Sequence, residues 1–294
     1  MLYSDLYYKI SLYLDFNKLS VSKELHNMYN DIWFLDKLQY LNPETKLYTP
    51  TNYKSLYQKY LEQGTIYDNF GNEYGVGIKI NLFEGNYYIL KFNGELICDK
   101  LIDTNVIDIY ANSYIKLYEW FIIKDNKSVK LDIVPKFPFL KVLMIDNIVF
   151  ALTNEGVYYY QYNNIKLFLI EDAIDMHLSF SLYVLDKLGN TYCLDDIGTK
   201  LLHKLENNKV KIKQNVGLFV DNKIISLCCS FFDGVNIDEL KTFFCHEDYF
   251  MILSKNSTLN IYQRNNDNKY ILHENKNNIL NIYPSQYVWF HIKK

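Results

Sequence analysis

The hydrophobic and polar positions of this chain repeat one short pattern: an apolar run, a tight polar turn and a second apolar run. A clear copy is Val149–Thr153, followed by Asn154-Glu155-Gly156 and then by Val157–Tyr160. Apolar runs bounded by Gly, Asn and Asp predict β-strands joined by tight turns. The same pattern returns at residues 87–96, 182–192 and 250–259, with weaker copies at 120–126 and 217–223. Self-similarity of this kind predicts a repeat architecture.

Seven strands can be recognised as the starts of successive repeats. They lie 29 to 39 residues apart and begin around Ile78, Ile107, Lys141, Ile174, Lys211, Thr242 and Asn281. A step of that length holds three or four short strands with tight turns. The pattern therefore predicts seven small antiparallel sheets.

The two ends of the repeat region complement each other. The seventh copy stops after Ile292 without its outer half, whereas residues 62–67 resemble residues 154–159, which are the missing half. Pairing of the strand around Thr65-Ile66-Tyr67 beside Val288-Trp289-Phe290 would leave no open edge in the ring. We therefore expect a seven-bladed β-propeller closed by pairing of N- and C-terminal strands. The alternative is a β-sandwich whose regular strand spacing imitates repeats.

The first 62 residues show helical spacing instead. Apolar residues three to four apart predict helices over Asp5–Leu14, Val21–Leu38 and Tyr53–Leu61. The expected fold is thus mostly β with an N-terminal α-helical segment. Its two domains are a helical head and connector over residues 1–62 and the propeller over residues 63–294.

Composition narrows the classes of function. The chain of 294 residues has a net charge of −3 and a pI near 6.1, so we expect neither a nucleic-acid nor a membrane partner. It holds no apolar run of the roughly 18 residues that span a bilayer, and its N-terminus lacks the features of a signal peptide. Five cysteines without CxxC spacing suggest reduced thiols and a cytoplasmic location.

The sequence offers little catalytic chemistry. The densest group of metal-ligand types is Cys245-His246-Glu247-Asp248, but neighbours in an extended chain point to opposite faces, so a solvated turn is the better interpretation. His177 occupies nearly the same repeat position, Asp195-Asp196 falls in a turn, and Lys209, Lys211 and Lys213 give one basic strand face. Phosphate-binding and hydrolase motifs are missing from the sequence. We assign no catalytic, cofactor-binding or metal residue and expect a protein that is not an enzyme.

Residues 2–38 resemble an F-box. The matching positions are Leu2, Asp5-Leu6, Ile10, Tyr13-Leu14-Asp15, Leu19, Val21-Ser22-Lys23 and Trp33. Tyr3 stands where the family has proline, and the stretch between Asp15 and Val21 is several residues short. The connector over residues 53–67 is similar to that of giant-virus F-box proteins, and the repeats look like a degenerate form of their regulator-of-chromosome-condensation-type propellers.

The resemblance implies a non-enzymatic adaptor. In F-box proteins the helical head binds an Skp-type adaptor of a cullin ubiquitin ligase, and the C-terminal domain holds a client protein. The residues expected to form the adaptor-binding patch are Leu6, Ile10, Leu14, Leu19 and Trp33. If these side chains instead pack on the propeller, they form a structural cap. Two other functions stay open: a structural or scaffolding protein, for example of a virus particle, that has lost adaptor binding, and a propeller enzyme or nucleotide-exchange factor.

Overall fold

The described part of the chain is one short helix followed by β-strands. The computed structural model describes residues 34, 37–39, 41, 53–124, 127–145, 148–178, 181–195, 201–204, 210–213, 217–220, 223–225, 238–246, 249–265, 269–284 and 289–294. The helix α1 spans Tyr53–Leu61, and the described positions among residues 34–41 are also helical.

Twenty-seven strands follow α1 in these described ranges. The first fourteen are β1 (Gly64–Asp68), β2 (Glu73–Gly77), β3 (Lys79–Phe83), β4 (Asn86–Leu90), β5 (Leu96–Cys98), β6 (Lys100–Asp103), β7 (Asp108–Tyr110), β8 (Ser113–Ile115), β9 (Trp120–Lys124), β10 (Lys127–Lys130), β11 (Phe139–Ile145), β12 (Ile148–Thr153), β13 (Gly156–Gln161) and β14 (Asn164–Leu169). The others are β15 (Ala173–Leu178), β16 (Leu182–Asp186), β17 (Thr191–Asp195), β18 (Leu201–Lys204), β19 (Val210–Lys213), β20 (Gly217–Val220), β21 (Lys223–Ile225), β22 (Leu240–His246), β23 (Tyr249–Ser254), β24 (Leu259–Arg264), β25 (Tyr270–Lys276), β26 (Ile279–Pro284) and β27 (Trp289–Lys293).

Six antiparallel sheets have four strands each, and we call them blades. Blade A holds β3–β6, blade B β7–β10, blade C β11–β14, blade D β15–β18 and blade E β22–β25. The closing blade has the strand order β26, β27, β1, β2. First strands of neighbouring blades contact one another, as β3 and β7 do, so they surround a common axis. This radial arrangement of four-stranded sheets is a β-propeller.

The hydrophobic core lies between consecutive blades. Between blades B and C, Trp120 packs with Phe139, and Val142 is fully buried beside them. Between blades C and D, Phe150 and Met176 belong to one buried cluster. Successive residues of a strand point to opposite faces of its blade. One set of side chains therefore packs against the preceding blade and the other set against the following blade.

The predicted closure of the ring is confirmed. Strand β1 pairs with β27 in antiparallel register, with Ile66 opposite Ile292 and Tyr67 opposite His291. Both ends of the propeller therefore contribute strands to the closing blade. Strand β1 covers the edge of β27 that β26 leaves unpaired. Helix α1 also has the predicted bounds.

The prediction of seven blades is wrong: the structure shows six four-stranded blades. Strands β19–β21, which lie in sequence between blades D and E, form a three-stranded sheet in the described ranges. The count rested on strand starts, and a start does not determine how many further strands pair with it. The expected N-terminal helical segment is corrected as well, because the described helical structure consists of α1 and the few positions among residues 34–41.

Candidate functional site

The two faces of the ring carry different connections. We call upper the face on which the first strand of each blade begins, where the turns between second and third strands and the links between blades also lie. Helix α1 lies on this face, because its Tyr60 ring is 5.2 Å from Phe92, in the turn between β4 and β5. The helix that precedes the first strand therefore packs on the upper face of the propeller.

The adaptor-binding residues expected from the sequence, Leu6, Ile10, Leu14, Leu19 and Trp33, lie outside the described residues. Their described neighbours pack inward. Phe34 and Leu38 are almost fully buried, and the Phe34 ring is 5.6 Å from Tyr57 of α1. An aromatic chain thus joins Phe34 through Tyr57 and Tyr60 to blade A.

The upper face carries a group of exposed apolar side chains on blades B, C and D. We call this group the upper apolar patch, and its members are Leu117, Tyr118, Val134, Phe137, Leu169 and Leu188. The exposed fraction reaches 91% at Val134 and 86% at Leu188. Single exposed apolar residues are normal on a protein surface, but a group on adjacent loops is characteristic of an interaction site.

Hydrogen bonds hold the loops that carry the patch side by side. The amide of Phe139 donates to the carbonyl of Leu117 over 2.8 Å, which joins the blade B turn to the start of blade C. On the far side, the amide of Lys187 donates to the carbonyl of Asp172 over 3.0 Å. Pro135 is buried in the loop between Val134 and Phe137 and restricts its backbone. The loops that carry the patch are therefore fixed relative to one another by backbone hydrogen bonds.

A belt of charged residues surrounds the axis. Lys79 Nζ lies 2.6 Å from Asp108 Oδ1, and the second oxygen of Asp108 accepts the amide of Val142 from the next blade. Farther around the ring, Lys141 Nζ lies 2.8 Å from Asp175 Oδ1. Each pair joins the first strands of consecutive blades, so the belt binds blades to each other at the centre.

Asp175 has the most strongly perturbed environment in the belt. Its side chain is 2% exposed, and its Oδ2 lies 2.9 Å from His177 Nε2. Burial alone raises the pKa of Asp175, but the hydrogen bond to His177 and the ammonium of Lys141 outweigh it and hold that pKa well below its usual range. Burial and Lys141 lower the pKa of His177, so the imidazole is neutral near pH 7. We interpret the group as structural, because each member is held by the others.

Several residues singled out in the sequence have a described place. His177 lies on β15 and contacts Asp175, Asp195 ends β17 and is not part of a turn, and Lys211 and Lys213 lie on β19. The side chains of Cys245-His246-Glu247-Asp248 lie outside the described residues.

Within the described ranges, His, Cys, Asp and Glu do not gather in groups of three that could hold a metal ion. The helices described here include none with the length and apolar character needed to cross a membrane.

Sequence reasoning missed the patch and the belt. Leu188 did carry a signal, because an apolar residue at the tip of a polar turn departs from the usual pattern of polar loops. The belt carried almost none, since Lys141 and Asp175 meet only when two blades lie side by side.

The blades and their closing seam define the class of this protein, a β-propeller. The sequence matches neither a known protein family nor a curated protein. Among solved structures, the computationally designed Ika8 protein covers 76% of this chain and 85% of its own, at 9% identity and a TM-score of 0.46. The match to BamB from Moraxella catarrhalis covers 76% of this chain and 85% of BamB, at 10% identity and a TM-score of 0.43. The match to Prp20p from Saccharomyces cerevisiae covers 74% of this chain and 69% of Prp20p, at 10% identity and a TM-score of 0.43.

Proposed function

We propose that this protein is a non-enzymatic interaction scaffold whose propeller holds a client protein on its upper face. The observation that carries the proposal is the upper apolar patch, with Val134 and Leu188 almost fully exposed. Protein interfaces are built around apolar and aromatic anchors, and Phe137 and Tyr118 add two aromatic rings to this surface. The partner is a protein that presents apolar side chains to the patch.

The client would be delivered to a cullin-type ubiquitin ligase in the cytoplasm, the host cytoplasm if the chain is viral. In this proposal the first 62 residues bind an Skp-type adaptor through Leu6, Ile10, Leu14, Leu19 and Trp33. The support is the F-box resemblance of residues 2–38. Helix α1 on the upper face would keep the adaptor and the client on the same side of the ring.

The alternative is a structural protein that keeps the propeller and has lost adaptor binding. Tyr3 in place of the F-box proline and the short stretch between Asp15 and Val21 favour it. The two functions differ in one property, which is binding to an Skp-type adaptor.

Adaptor binding is tested with purified proteins. We expect the full chain to retain a purified Skp-type adaptor in a pull-down and the double variant Leu6→Asp/Ile10→Asp to lose it with an unchanged melting temperature. Loss of a hot-spot pair corresponds to about 2–4 kcal/mol. Failure of the unchanged protein to bind supports the structural alternative, and unfolding of the double variant would mean that these residues form a cap.

Client binding is tested by comparing two faces. The variant Val134→Asp/Leu188→Asp alters the upper patch, and Phe70→Asp alters an equally exposed residue, 75% accessible, in the β1–β2 turn on the other face. We expect proteins captured by the unchanged chain to bind Phe70→Asp and not the patch variant, and then to bind directly as purified proteins. Equal capture by both variants would contradict the patch. A chain that self-associates in light scattering only when the patch is intact would make the partner a second copy.

A further inference from the structure

A pocket of about 510 Å³ lies beside the seam of the ring, between β25 of blade E and the closing blade. Its lining includes Tyr67, Lys276, Asn277, Ile279, His291 and Lys293. Three of these, Tyr67, His291 and Lys293, belong to the paired strands β1 and β27. The pocket is therefore formed by the two ends of the propeller together with the last link between blades.

His291 supplies a polar group that the described residues do not satisfy. Its side chain is 6% exposed, and its Nδ1 has no hydrogen-bond partner within the described ranges. The ring is held between Tyr67, at 5.8 Å, and Trp289, at 5.4 Å. Buried polar atoms are satisfied as a rule, so an unpaired imidazole nitrogen in the wall of a pocket indicates a ligand that completes it.

The charges around the pocket favour an anion. Lys276 and Lys293 bring two ammonium groups to the lining, and none of the described lining residues carries a carboxylate. Lys276 Nζ lies 5.2 Å from the Trp289 ring and 3.5 Å from Glu274 Oε2. The carboxylate of Asp68 accepts hydrogen bonds from Phe70, Asn72 and Tyr74 within its own turn. Lys276 and Lys293 each lower the pKa of His291 by more than Asp68 raises it, so the electrostatic potential at this imidazole is positive.

The size of the pocket indicates more than a bare ion. A volume of about 510 Å³ falls in the range of roughly 300–1,000 Å³ in which proteins bind small organic molecules. The Tyr67 ring provides apolar contact area, and Asn277 provides an amide. These groups suit a molecule with an organic body and one anionic end.

We propose that this seam pocket binds a small organic oxyanion, a phosphate ester or a carboxylate, independently of the upper apolar patch. The anionic group lies against the ammonium groups of Lys276 and Lys293, and His291 completes the site with a ring N–H. The organic body packs against the Tyr67 ring. A ligand held there contacts both β1 and β27, so it stabilises the seam of the ring.

The experiment uses the full chain and four probes: inorganic phosphate, phenyl phosphate, benzoate and benzyl alcohol. Binding is measured by saturation-transfer NMR and by the shift of the melting temperature. A ligand that binds only the folded state raises that temperature, and its stabilising free energy grows as RT ln(1 + L/Kd), where L is the free ligand concentration. The test variant is Lys276→Gln/Lys293→Gln, and the matched control is Lys187→Gln, a lysine that is 56% exposed on the other side of the ring. Both lysines of the pocket are accessible, so the variant is expected to fold.

We expect phenyl phosphate or benzoate to bind, with at least a tenfold loss of affinity in the double variant and none in Lys187→Gln. Tighter binding of phenyl phosphate identifies the ligand class as a phosphate ester, and tighter binding of benzoate identifies it as a carboxylate. In NMR spectra of the imidazole groups, the signal of His291 should shift on binding in the unchanged chain. Equal binding of benzyl alcohol would show an apolar pocket, and the absence of binding at 10 mM or full binding to the double variant would overturn the proposal.

Discussion

Ile66 and Ile292 lie opposite each other at the seam of the ring, and both side chains are completely buried. The first belongs to the strand that follows α1, and the second lies two residues from the last residue of the chain. Their pairing means that the propeller is held closed by contacts between its most distant segments. Its stability therefore depends on the strand Trp289–Lys293, which forms one side of this pairing.

Deletion of residues 287–294 is expected to unfold the propeller cooperatively. The truncated chain loses β27 and exposes the apolar surfaces of β1 and β26 together. Thermal unfolding followed by circular dichroism measures the effect, with deletion of Lys294 alone as the control. A truncated protein with an unchanged melting temperature would show that the seam contributes nothing to stability.

Gly64→Ala is expected to destabilise the same seam by about 1–3 kcal/mol, the usual cost of overpacking. A Cβ at Gly64 would lie 2.3 Å from the carbonyl oxygen of Lys293, and a backbone oxygen in a strand pair cannot move aside. Urea unfolding gives the change in the free energy of unfolding. Thr65→Ala, in the same strand and half-buried, serves as control, and an equal effect of both substitutions would argue against a steric cause.

Asp175→Ala is expected to cost about 3–5 kcal/mol of stability. Lys141 and His177 both contact this buried carboxylate, and its removal leaves the ammonium of Lys141 without its counter-charge at the centre of the ring. The matched control is Lys187→Gln, which breaks an ion pair of 2.6 Å whose two side chains are more than half exposed and costs less than about 1 kcal/mol. Similar losses in both variants would mean that burial does not distinguish the two pairs.

Two turns that share the pattern Asp-x-x-Gly-Asn-x-Tyr, residues 68–74 and 186–192, should respond alike to loss of their aspartate. Asp186 accepts the amide and the side-chain N–H of Asn190 and the hydroxyl of Tyr192, and Asp68 accepts the equivalent groups of Asn72 and Tyr74. Substitution of either aspartate by alanine is expected to cost about 1–3 kcal/mol, because three partly buried donors lose their acceptor.

Urea unfolding of Asp68→Ala and Asp186→Ala tests the equivalence of the two turns. The exposed Asp132 supplies the control, since Asp132→Ala should change the free energy of unfolding by less than about 0.5 kcal/mol. A large loss for one turn and none for the other would contradict a common role.

Stability is expected to fall as the pH drops from about 6.5 to about 4. Burial, together with Lys276 and Lys293, lowers the pKa of His291 to about 4, against its ordinary value of 6.5, while Asp68 opposes the shift. Between pH 6.5 and about pH 4 the unfolded chain binds a proton at His291, whereas the folded chain does not. The free energy of unfolding therefore falls by about 3 kcal/mol over that window. The lowered pKa of His177 acts in the same direction.

Urea unfolding at pH 7 and pH 5 measures this dependence. The variant His291→Gln should flatten the profile, while His273→Gln, on the exposed strand β25, should leave it unchanged. A steeper or identical profile in His291→Gln would show that this histidine is protonated in the folded protein.

The sequence by itself determined the local elements of this protein. Apolar runs and polar turns placed the strands, the helical spacing gave α1 its bounds, and the likeness of residues 62–67 to 154–159 predicted the closing pair. Local chemistry was sufficient there because a tight turn is formed by a few adjacent residues. Asp68 and Asp186 form the same turn although one joins β1 to β2 and the other joins β16 to β17.

Only the tertiary structure decided which strands share a sheet and which side chains meet between blades. The strand that contains Lys211 pairs with the next strand, β20, in a sheet that has three strands within the described residues. The contact of Lys141 with Asp175 and the position of His291 in the wall of the pocket depend on how adjacent blades pack. Such contacts join residues from separate repeats. The periodicity along a single strand contains no information about how one blade is placed against the next.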